Sequence, residues 1–513
     1  MKQRYRICVF RVVVVFVLLL NLVSTVVTQT RHAEAVSPST VDARSDLTEH
    51  GSTADEISHV PDSLRTAERD VVPATPPVYP LVNAAPLAPA GGVVGNGTPA
   101  SCTEAALNAT LAGGGAITFN CGTSPVTLTV TSQKIIAVPT SIDGGGLIAL
   151  SGGDAVRLFS VNAGASLSLA NLTITQGRAS GSSGGGIYNQ GALTVTNARF
   201  VGNVADSFGG AILNYGMLEL SDSALIGNHA GINGGGIDTT VLVTVTNSAF
   251  ISNTAGFRGG AINNYLGSLS IVQDSFAGNS SNVYGGGVTN DAGVGSILGS
   301  SFINNTTQGF GGGLRNSGKL FVGDTTFSGN YAADKGGGLE NSATLVVENS
   351  TFSGNSATNS GGGIENSTVA AITVTNGTVV TNTSALSSGG GNLTNNGLFQ
   401  LKNTIVAYGS LFDCAGTLVS LGYNLYGGAA CAPLAPGDIQ TTDPLLGPLQ
   451  DNGGPTLTHA PLPGSPLIDR IPLDACPPTD QRGRARPQGS LCDIGAVEQV
   501  VLLPKVYLPL IVK

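Results

Sequence analysis

The stretch Gly184-Gly185-Gly186-Ile187, with Phe200-Val201-Gly202-Asn203 after it, is the first copy of a unit that occurs eight times. Each copy opens with a glycine pair and a hydrophobic residue and closes on a large apolar residue, with asparagine three positions later. The openings lie 25 or 26 residues apart, and a fixed period of this size predicts a solenoid. The opening residues are Ile187, Ile212, Ile237, Ile262, Val288, Leu314, Leu339 and Ile364, and the closing residues are Phe200, Leu225, Phe250, Phe276, Phe302, Phe327, Phe352 and Val379.

Within each copy the apolar residues alternate with polar ones, as in Leu193-Thr194-Val195, and this period of two indicates strands. The copies are too rich in Gly, Asn, Ser and Thr for helix. One coil cannot bury its inner face alone, but stacked coils can pair strand on strand at about 4.8 Å. We therefore predict an all-β fold, a right-handed parallel β-helix with about 25 residues per coil.

In-register stacking predicts three kinds of column: aliphatic residues, phenylalanines and asparagines. Thr326 precedes Phe327 and is expected to face outward, exposed. The glycine pairs are expected to supply positive φ or close backbone approach. One asparagine column follows the closing residues, and the second lies two residues after the openings: Asn189, Asn214, Asn264, Asn290, Asn316, Asn341 and Asn366, with Thr239 as the exception.

The regions outside the repeats divide the chain further. We predict a signal peptide at 1–35, a disordered Pro/Ala/Ser/Thr-rich spacer at 36–98, and an N-terminal cap with irregular coils at 99–177. The β-helix repeats follow at 178–408, then a C-terminal cap at 409–499 and an apolar tail at 500–513. Residues 102–113 are the expected capping helix.

The first 35 residues have the pattern of an export signal. Four basic residues up to Arg11 precede the apolar run Val12–Leu20, and Ala33-Glu34-Ala35 is a candidate cleavage site. The alternative is an uncleaved membrane anchor, since the apolar run continues weakly to Val27. Either reading places the protein outside the cytoplasm, secreted or at the cell surface.

Six cysteines remain once Cys8 of the leader is set aside, and none lies in the repeats. Six cysteines allow 15 pairings, which sequence alone does not resolve. In an exported chain, the close spacing favours three local disulfides that hold the two ends: Cys102 with Cys121, Cys414 with Cys431, and Cys476 with Cys492.

The net negative charge of the chain limits the kinds of partner that it can bind. The full chain has a formal charge of −9, and without residues 1–35 it carries 18 basic and 31 acidic residues, or −13. This argues against nucleic acid or an anionic membrane as partner. Membrane contact is expected only through the leader or an unidentified anchor. We predict a monomer without metal or cofactor, with glycans or other cell-surface components as possible partners.

The repeats resemble the GGA[ILV] and FxxN repeats of the polymorphic outer-membrane protein family over about 200 residues. That resemblance implies a right-handed β-helix with a role in surface display and adhesion. The C-terminal segment is similar to the choice-of-anchor Q domain, in Asp443-Pro444-Leu445-Leu446, Asp451-Asn452-Gly453-Gly454-Pro455-Thr456 and Asp493-Ile494-Gly495-Ala496. This second resemblance implies a module of secreted, surface-anchored proteins.

Candidate chemistry is limited to two groups of residues. The residues just after the openings would place Arg315, Glu340 and Glu365 about 5 Å apart in series. They form either a small ion or sugar site or a solvated surface ion-pair ladder, and we favour the ladder. His459 with the nearby aspartates could form a catalytic cluster, but we favour an ion-pair and turn network of Asp480, Arg482, Arg486 and Asp493, with His459 as a satisfied neighbour.

Two functions follow from these patterns. The first is a non-catalytic extracellular protein that offers a long side for adhesion or glycan contact. The alternative is a polysaccharide lyase or glycoside hydrolase, which would require carboxylates with Arg or Lys in one groove. We expect the first, and therefore no catalytic residues.

Overall fold

The computed structural model describes residues 91–386, 389–428, 431 and 434–499. Within them the chain is a parallel β-helix, in which each strand pairs with the equivalent strands of the coils before and after it. The stacking is in register: Phe302 lies opposite Phe276 on one side and Phe327 on the other. The predicted fold class is confirmed in its parallel stacking and coil length, and the right-handed sense remains a prediction.

The strands of the described residues form three parallel sheets, which we call front, side and back. The front sheet has 12 strands: Lys134–Ile136, Phe159–Val161, Ile187–Asn189, Ile212–Asn214, Ile237–Thr239, Ile262–Tyr265, Val288–Asp291, Leu314–Asn316, Leu339–Asn341, Ile364–Asn366, Leu393–Asn395 and Cys414–Ala415. The side sheet has nine: Arg178–Ala179, Val204–Ala205, His229–Ala230, Thr254–Ala255, Ser280–Ser281, Thr306–Thr307, Tyr331–Ala332, Ser356–Ala357 and Thr383–Ser384.

The back sheet has 26 strands and runs in two columns for most of its length. It begins with Val93–Val94, Gly115–Phe119, Val126–Thr129, Thr140–Ser151 and Ser166–Thr175. The first column is Ala192–Thr196, Met217–Ser221, Leu242–Thr246, Ser268–Val272, Val294–Leu298, Lys319–Gly323, Thr344–Glu348, Ala371–Thr375, Leu398–Lys402 and Val419–Ser420. The second is Arg199–Val201, Ala224–Ile226, Ala249–Ile251, Ser275–Ala277, Ser301–Ile303, Thr326–Ser328, Thr351–Ser353, Thr378–Val380, Ile405–Ala407, Leu425–Tyr426 and Ile439–Gln440.

The core lies between the sheets and consists of the predicted columns. All eight opening residues and all eight closing residues are fully buried. Five consecutive phenylalanines stack from Phe250 to Phe352, with ring centroids 4.6–4.9 Å apart and nearly parallel planes. The in-register strands set this spacing, because it matches the distance between paired strands.

The asparagine columns hold the turns. The side-chain amide of Asn305 donates to the backbone oxygen of Phe276 at 2.9 Å and to Asn330 Oδ1 at 2.9 Å. Its own Oδ1 accepts the backbone and side-chain N–H groups of Asn279. Four hydrogen bonds therefore join the Asn305 amide to the coils on both sides, in agreement with the predicted asparagine column.

Glycine is required where each copy opens. Gly311 has φ +72°, a conformation that L side chains rarely adopt. A Cβ on Gly312 would lie 2.4 Å from the backbone oxygen of Gly337 in the next coil. The first glycine thus supplies the positive φ and the second permits the close approach of two backbones.

The N-terminal end corrects one predicted boundary. The spacer was expected to reach residue 98, but Val93–Val94 pairs with Thr118 and Phe119, and Val94 is fully buried. The expected capping helix spans Glu104–Leu111, with Thr103 Oγ1 accepting the N–H of Ala106 and Leu107 buried. A 3₁₀ turn, Pro99–Ser101, precedes it. The signal peptide, the rest of the spacer and the tail at 500–513 lie outside the described residues.

The C-terminal end corrects a second boundary. The stack continues past residue 408, because Cys414–Ala415 extends the front sheet and Leu425–Tyr426 the back sheet, although the repeat motif has ended. The remaining chain, with a 3₁₀ turn at Leu473–Ala475, lies along the outer side of the back sheet. The structure pairs the cysteines locally: Cys102–Cys121, Cys414–Cys431 and Cys476–Cys492, with Cα atoms 5.7, 5.4 and 5.9 Å apart.

This arrangement shows that the expectation for Thr326 was wrong. Its side chain points outward but is only 1% exposed, because the C-terminal segment covers it. Thr326 Oγ1 donates to the backbone oxygen of Leu457 at 2.6 Å and accepts from Gln481 Nε2 at 2.8 Å. The alternation of a strand indicates which face a residue occupies, but not whether another segment covers that face.

Replacing Phe302 with alanine should lower the free energy of unfolding by about 3–5 kcal/mol, because it opens a cavity in the phenylalanine stack. Val294 belongs to the same coil and is 43% exposed, so Val294→Ala should cost under about 0.5 kcal/mol. Urea unfolding of the two variants measures the difference. Equal losses would show that the register is wrong.

Replacing Thr326 with valine should cost about 1–3 kcal/mol. It removes the hydrogen bond that the Leu457 carbonyl accepts and one of the two that Gln481 Nε2 donates, the other being to Thr456. The exposed Thr127, also in a strand, is the matched control, and Thr127→Val should be nearly neutral. The same unfolding measurement applies. A neutral Thr326→Val would mean that the C-terminal segment does not rest on the back sheet.

Candidate ligand-binding face

The front sheet presents two outward columns of side chains. In each coil the residue one position after the opening hydrophobic and the residue three positions after it point away from the core, because strand side chains alternate. The residue four positions before the opening hydrophobic forms a third column beside them, joined from coil to coil by single bridges such as Arg258 to Tyr284. We call these three columns together the front face.

The structure brings Arg315, Glu340 and Glu365 together on adjacent strands, as predicted. Arg315 lies opposite Glu340, and Glu340 opposite Glu365. Arg315 Nε is 3.2 Å from Glu340 Oε2. Ser367 donates to Glu340 at 2.8 Å, and Ser360 donates to Glu365 at 2.9 Å.

These carboxylates are not a solvated ladder, which was the favoured interpretation. Glu340 is 3% exposed and Glu365 is 1% exposed. Short polar side chains close over them: Ser360 comes from the segment before the strand, and Ser367 from the turn after a strand. The prediction of their proximity was correct, and the prediction of their exposure was wrong.

Burial changes the acidity of this column. It raises the pKa of Glu365 to about 7, against hydrogen bonds from Ser360 and Asn396 that lower it. Burial also raises the pKa of Glu340, although the charge of Arg315 opposes the shift. Asp238, in the same column, has its pKa raised to about 7 by burial despite a hydrogen bond from Asn263. Burial therefore shifts all three groups towards their protonated forms.

Sequence reasoning missed a second group on the front face. Arg258 Nη1 contacts Asp291 Oδ2 at 2.6 Å. The Tyr284 ring lies between two guanidiniums, with Arg315 Cζ at 4.0 Å and Arg258 Cζ at 5.4 Å from its centroid. Cations over an aromatic face are attracted to its quadrupole. Aligning the residues four positions before each opening would have shown Arg258 and Tyr284 in one column.

Two tyrosines are the prominent exposed side chains of the front face. Tyr215 is 42% exposed and Tyr265 is 45% exposed, and both lie three residues after an opening hydrophobic. Tyr188 packs edge-on against Tyr215, with ring centroids 5.9 Å apart. Arg157 lies over the Tyr188 ring at 5.2 Å. The front face therefore combines paired charges with exposed aromatic rings.

The C-terminal residues form part of the predicted network, but the ion-pair partner of Arg486 is Glu498, which the prediction did not include. Arg482 pairs with Asp480 at 2.6 Å, and Arg486 pairs with Glu498 at 3.2 Å. His459 is apart from this network: its ring nitrogens contact Ser353 Oγ at 2.9 Å and the backbone oxygen of Gly447 at 2.7 Å. Burial lowers the pKa of His459. These ion pairs and the contacts of His459 stabilise the C-terminal segment on the back sheet.

The chain is a parallel β-helix protein. Comparison with known proteins does not assign it to a narrower class. No protein-family model matches the sequence, and no curated protein matches it. Among solved structures the chain is similar to the A-module of the mannuronan C-5 epimerase AlgE6 from Azotobacter vinelandii. The two are 15% identical with a TM-score of 0.30, and the match covers 68% of this chain and 97% of that one. So distant a likeness carries no argument about activity.

The described residues contain no group of three or more His, Cys, Asp or Glu placed to hold a metal ion. No helix among them has the length and apolar character needed to cross a bilayer.

The Glu365→Gln variant should gain stability relative to wild type as pH rises from 5 to 8. The folded-state pKa of Glu365, about 7, lies above its unfolded value, so the native protein binds the extra proton and is destabilised as pH rises through this window. Glutamine removes that loss. Urea unfolding at several pH values measures the difference.

Asp451, an exposed carboxyl, provides the control for this pH series. Asp451→Asn should keep the same stability difference from wild type between pH 5 and 8. A Glu365→Gln variant whose difference is also constant would contradict the burial of Glu365.

Proposed function

We propose that this protein is a non-catalytic, secreted or surface-displayed β-helix protein that binds glycans through its front face. The observation that carries the proposal is the difference in solvent exposure on that face. The carboxylates in the Glu340 column are buried, while two tyrosines are exposed. Tyr215 and Tyr265 expose more than two fifths of their surface, whereas Glu340 and Glu365 expose 3% or less. An aromatic ring with a polar tip suits the mixed apolar and hydroxyl surface of a sugar.

The alternative is a polysaccharide lyase or hydrolase, and one observation favours it. Arg315, Glu340 and Glu365 do lie together, and carboxyls with a pKa near neutrality are common at active sites. A general acid or base must, however, come within hydrogen-bonding reach of the atom it protonates or deprotonates. Glu365 accepts hydrogen bonds from Ser360 and Asn396, and Glu340 Oε1 accepts one from Ser367, while Glu340 Oε2 has only its ion pair with Arg315. Both carboxyls lie beneath the surface, out of reach of a bound substrate. The structure therefore supports binding better than catalysis.

Three disulfides and the surface-protein resemblances of both the repeats and the C-terminal segment support the proposed location. Disulfides persist in oxidising compartments outside the cytoplasm. The predicted export signal agrees with them. Surface display with a long, rigid side is a suitable arrangement for contact with glycans of another cell or of a matrix.

Purified full-length protein should bind at least one glycan class on an array and show no turnover of pectin or alginate, by unsaturated-uronate absorbance and by reducing ends. Glu340→Gln and Glu365→Gln should leave array binding unchanged, since neither side chain reaches the surface. An array without signal would contradict the binding role. Turnover that disappears in either glutamine variant, but not in Asp451→Asn, would establish the enzyme instead.

A further inference from the structure

The two exposed tyrosines of the front face have a regular spacing. Tyr215 and Tyr265 occupy the same position in coils that are two apart, and Thr240 holds that position in the coil between them. Paired strands are separated by about 4.8 Å, so the two rings stand about 10 Å apart along the axis. That distance is about the length of a disaccharide in an extended chain. Thr240 is small and only half-buried, so it leaves the space between the rings open.

The polar groups beside the rings suit hydroxyl partners. The column that carries the tyrosines continues with Asp291 and Ser317, and Ser317 Oγ donates to Asp291 Oδ1 at 2.8 Å. Asp291 also contacts Arg258 at 2.6 Å. Asp291 and Ser317 follow Tyr265 in its own column, and Arg258 reaches Asp291 from the neighbouring column. Together they offer donors and acceptors to sugar hydroxyls next to Tyr265.

The charges of this region are paired within the protein. Arg258 has Asp291 as its partner, and Arg315 has Glu340. An acidic sugar would have to compete with these carboxylates for the guanidiniums, on a chain whose overall charge is already −9. A neutral sugar does not have to break these ion pairs, because its hydroxyls can hydrogen-bond to the paired groups. The electrostatics therefore favour a ligand without carboxylate or sulfate.

We propose that the front face binds an extended, neutral, β-1,4-linked glycan chain that runs parallel to the β-helix axis. The apolar faces of alternate sugars stack on Tyr215 and Tyr265, and the sugar between them lies over Thr240. In a flat, extended chain of this type every second sugar presents the same face, so rings two coils apart meet equivalent surfaces. A coiled α-linked glucan does not keep that repeat. This inference rests on the proposed glycan-binding function and specifies its ligand.

Isothermal titration of full-length protein with cellohexaose, mannohexaose and chitohexaose tests the proposal, with hexagalacturonate and maltohexaose as contrasting ligands. At least one of the three neutral β-1,4 hexasaccharides should bind more tightly than both contrasting ligands. Tyr215→Ala and Tyr265→Ala should each weaken that binding about tenfold, the effect of one aromatic anchor in an interface. Tyr215→Phe and Tyr265→Phe should stay within about twofold, because the ring provides the stacking surface.

Tyr331 supplies a matched control, since it is 38% exposed but belongs to the side sheet. Tyr331→Ala should bind as wild type, and unchanged thermal melting should accompany all five variants. Preference for hexagalacturonate, or equal affinity in wild type and both front-face alanine variants, would overturn the neutral-chain inference while leaving glycan binding on the array intact. An array with no signal for any glycan would remove the proposed function as well.

Discussion

The structure depends on the hydrogen bonds that pass from one buried asparagine to the next. Each side-chain amide in the column from Asn203 to Asn382 donates to a strand carbonyl and to the following asparagine. From Asn228 onward its oxygen accepts the backbone N–H of the previous asparagine, and the oxygen of Asn203 accepts that of Gly177. Without these bonds each turn would bury backbone groups that have no partner, which costs about 1–3 kcal/mol per group. The ladder also specifies register, since a coil that slipped by one residue would lose all its bonds.

The ladder explains where the coils can vary in length. Two of the spacings are 26 residues, and the additional residue of those coils lies in the turn between the front and back sheets. Leu266 and Ala292 occupy that turn with φ of +61° and +56°. The front asparagines remain bonded through it, with Asn264 Nδ2 2.8 Å from Asn290 Oδ1. Length changes are absorbed in a turn, so the outward columns of the front face stay aligned. Side chains there can differ from coil to coil without disturbing the core.

The sequence alone predicted which residues face inward, because the repeat determines that. It did not predict which outward residues are covered by other side chains or segments. Phe302 was correctly placed in the core, because the alternation and the period determine which residues face inward, and Asn305 was correctly placed in a stacked asparagine column. The sequence placed Thr326 and Glu340 outward but could not indicate that a C-terminal segment covers the first and short polar side chains cover the second. The repeat also places Tyr215 and Tyr265 in one column, but their exposure could not be predicted, because it depends on which side chains lie over each position of the front face.

The most direct test of this account is hydrogen–deuterium exchange of the full-length protein, resolved to single amides. The backbone N–H groups of Asn253, Asn279 and Asn305 donate to the next asparagine at 2.9–3.0 Å and are fully buried. These amides should exchange among the slowest in the molecule, since their opening requires neighbouring coils to separate. The amides around the exposed Leu411 and Phe412 should exchange much faster. Equally fast exchange at both places would contradict an asparagine ladder that holds the stack together.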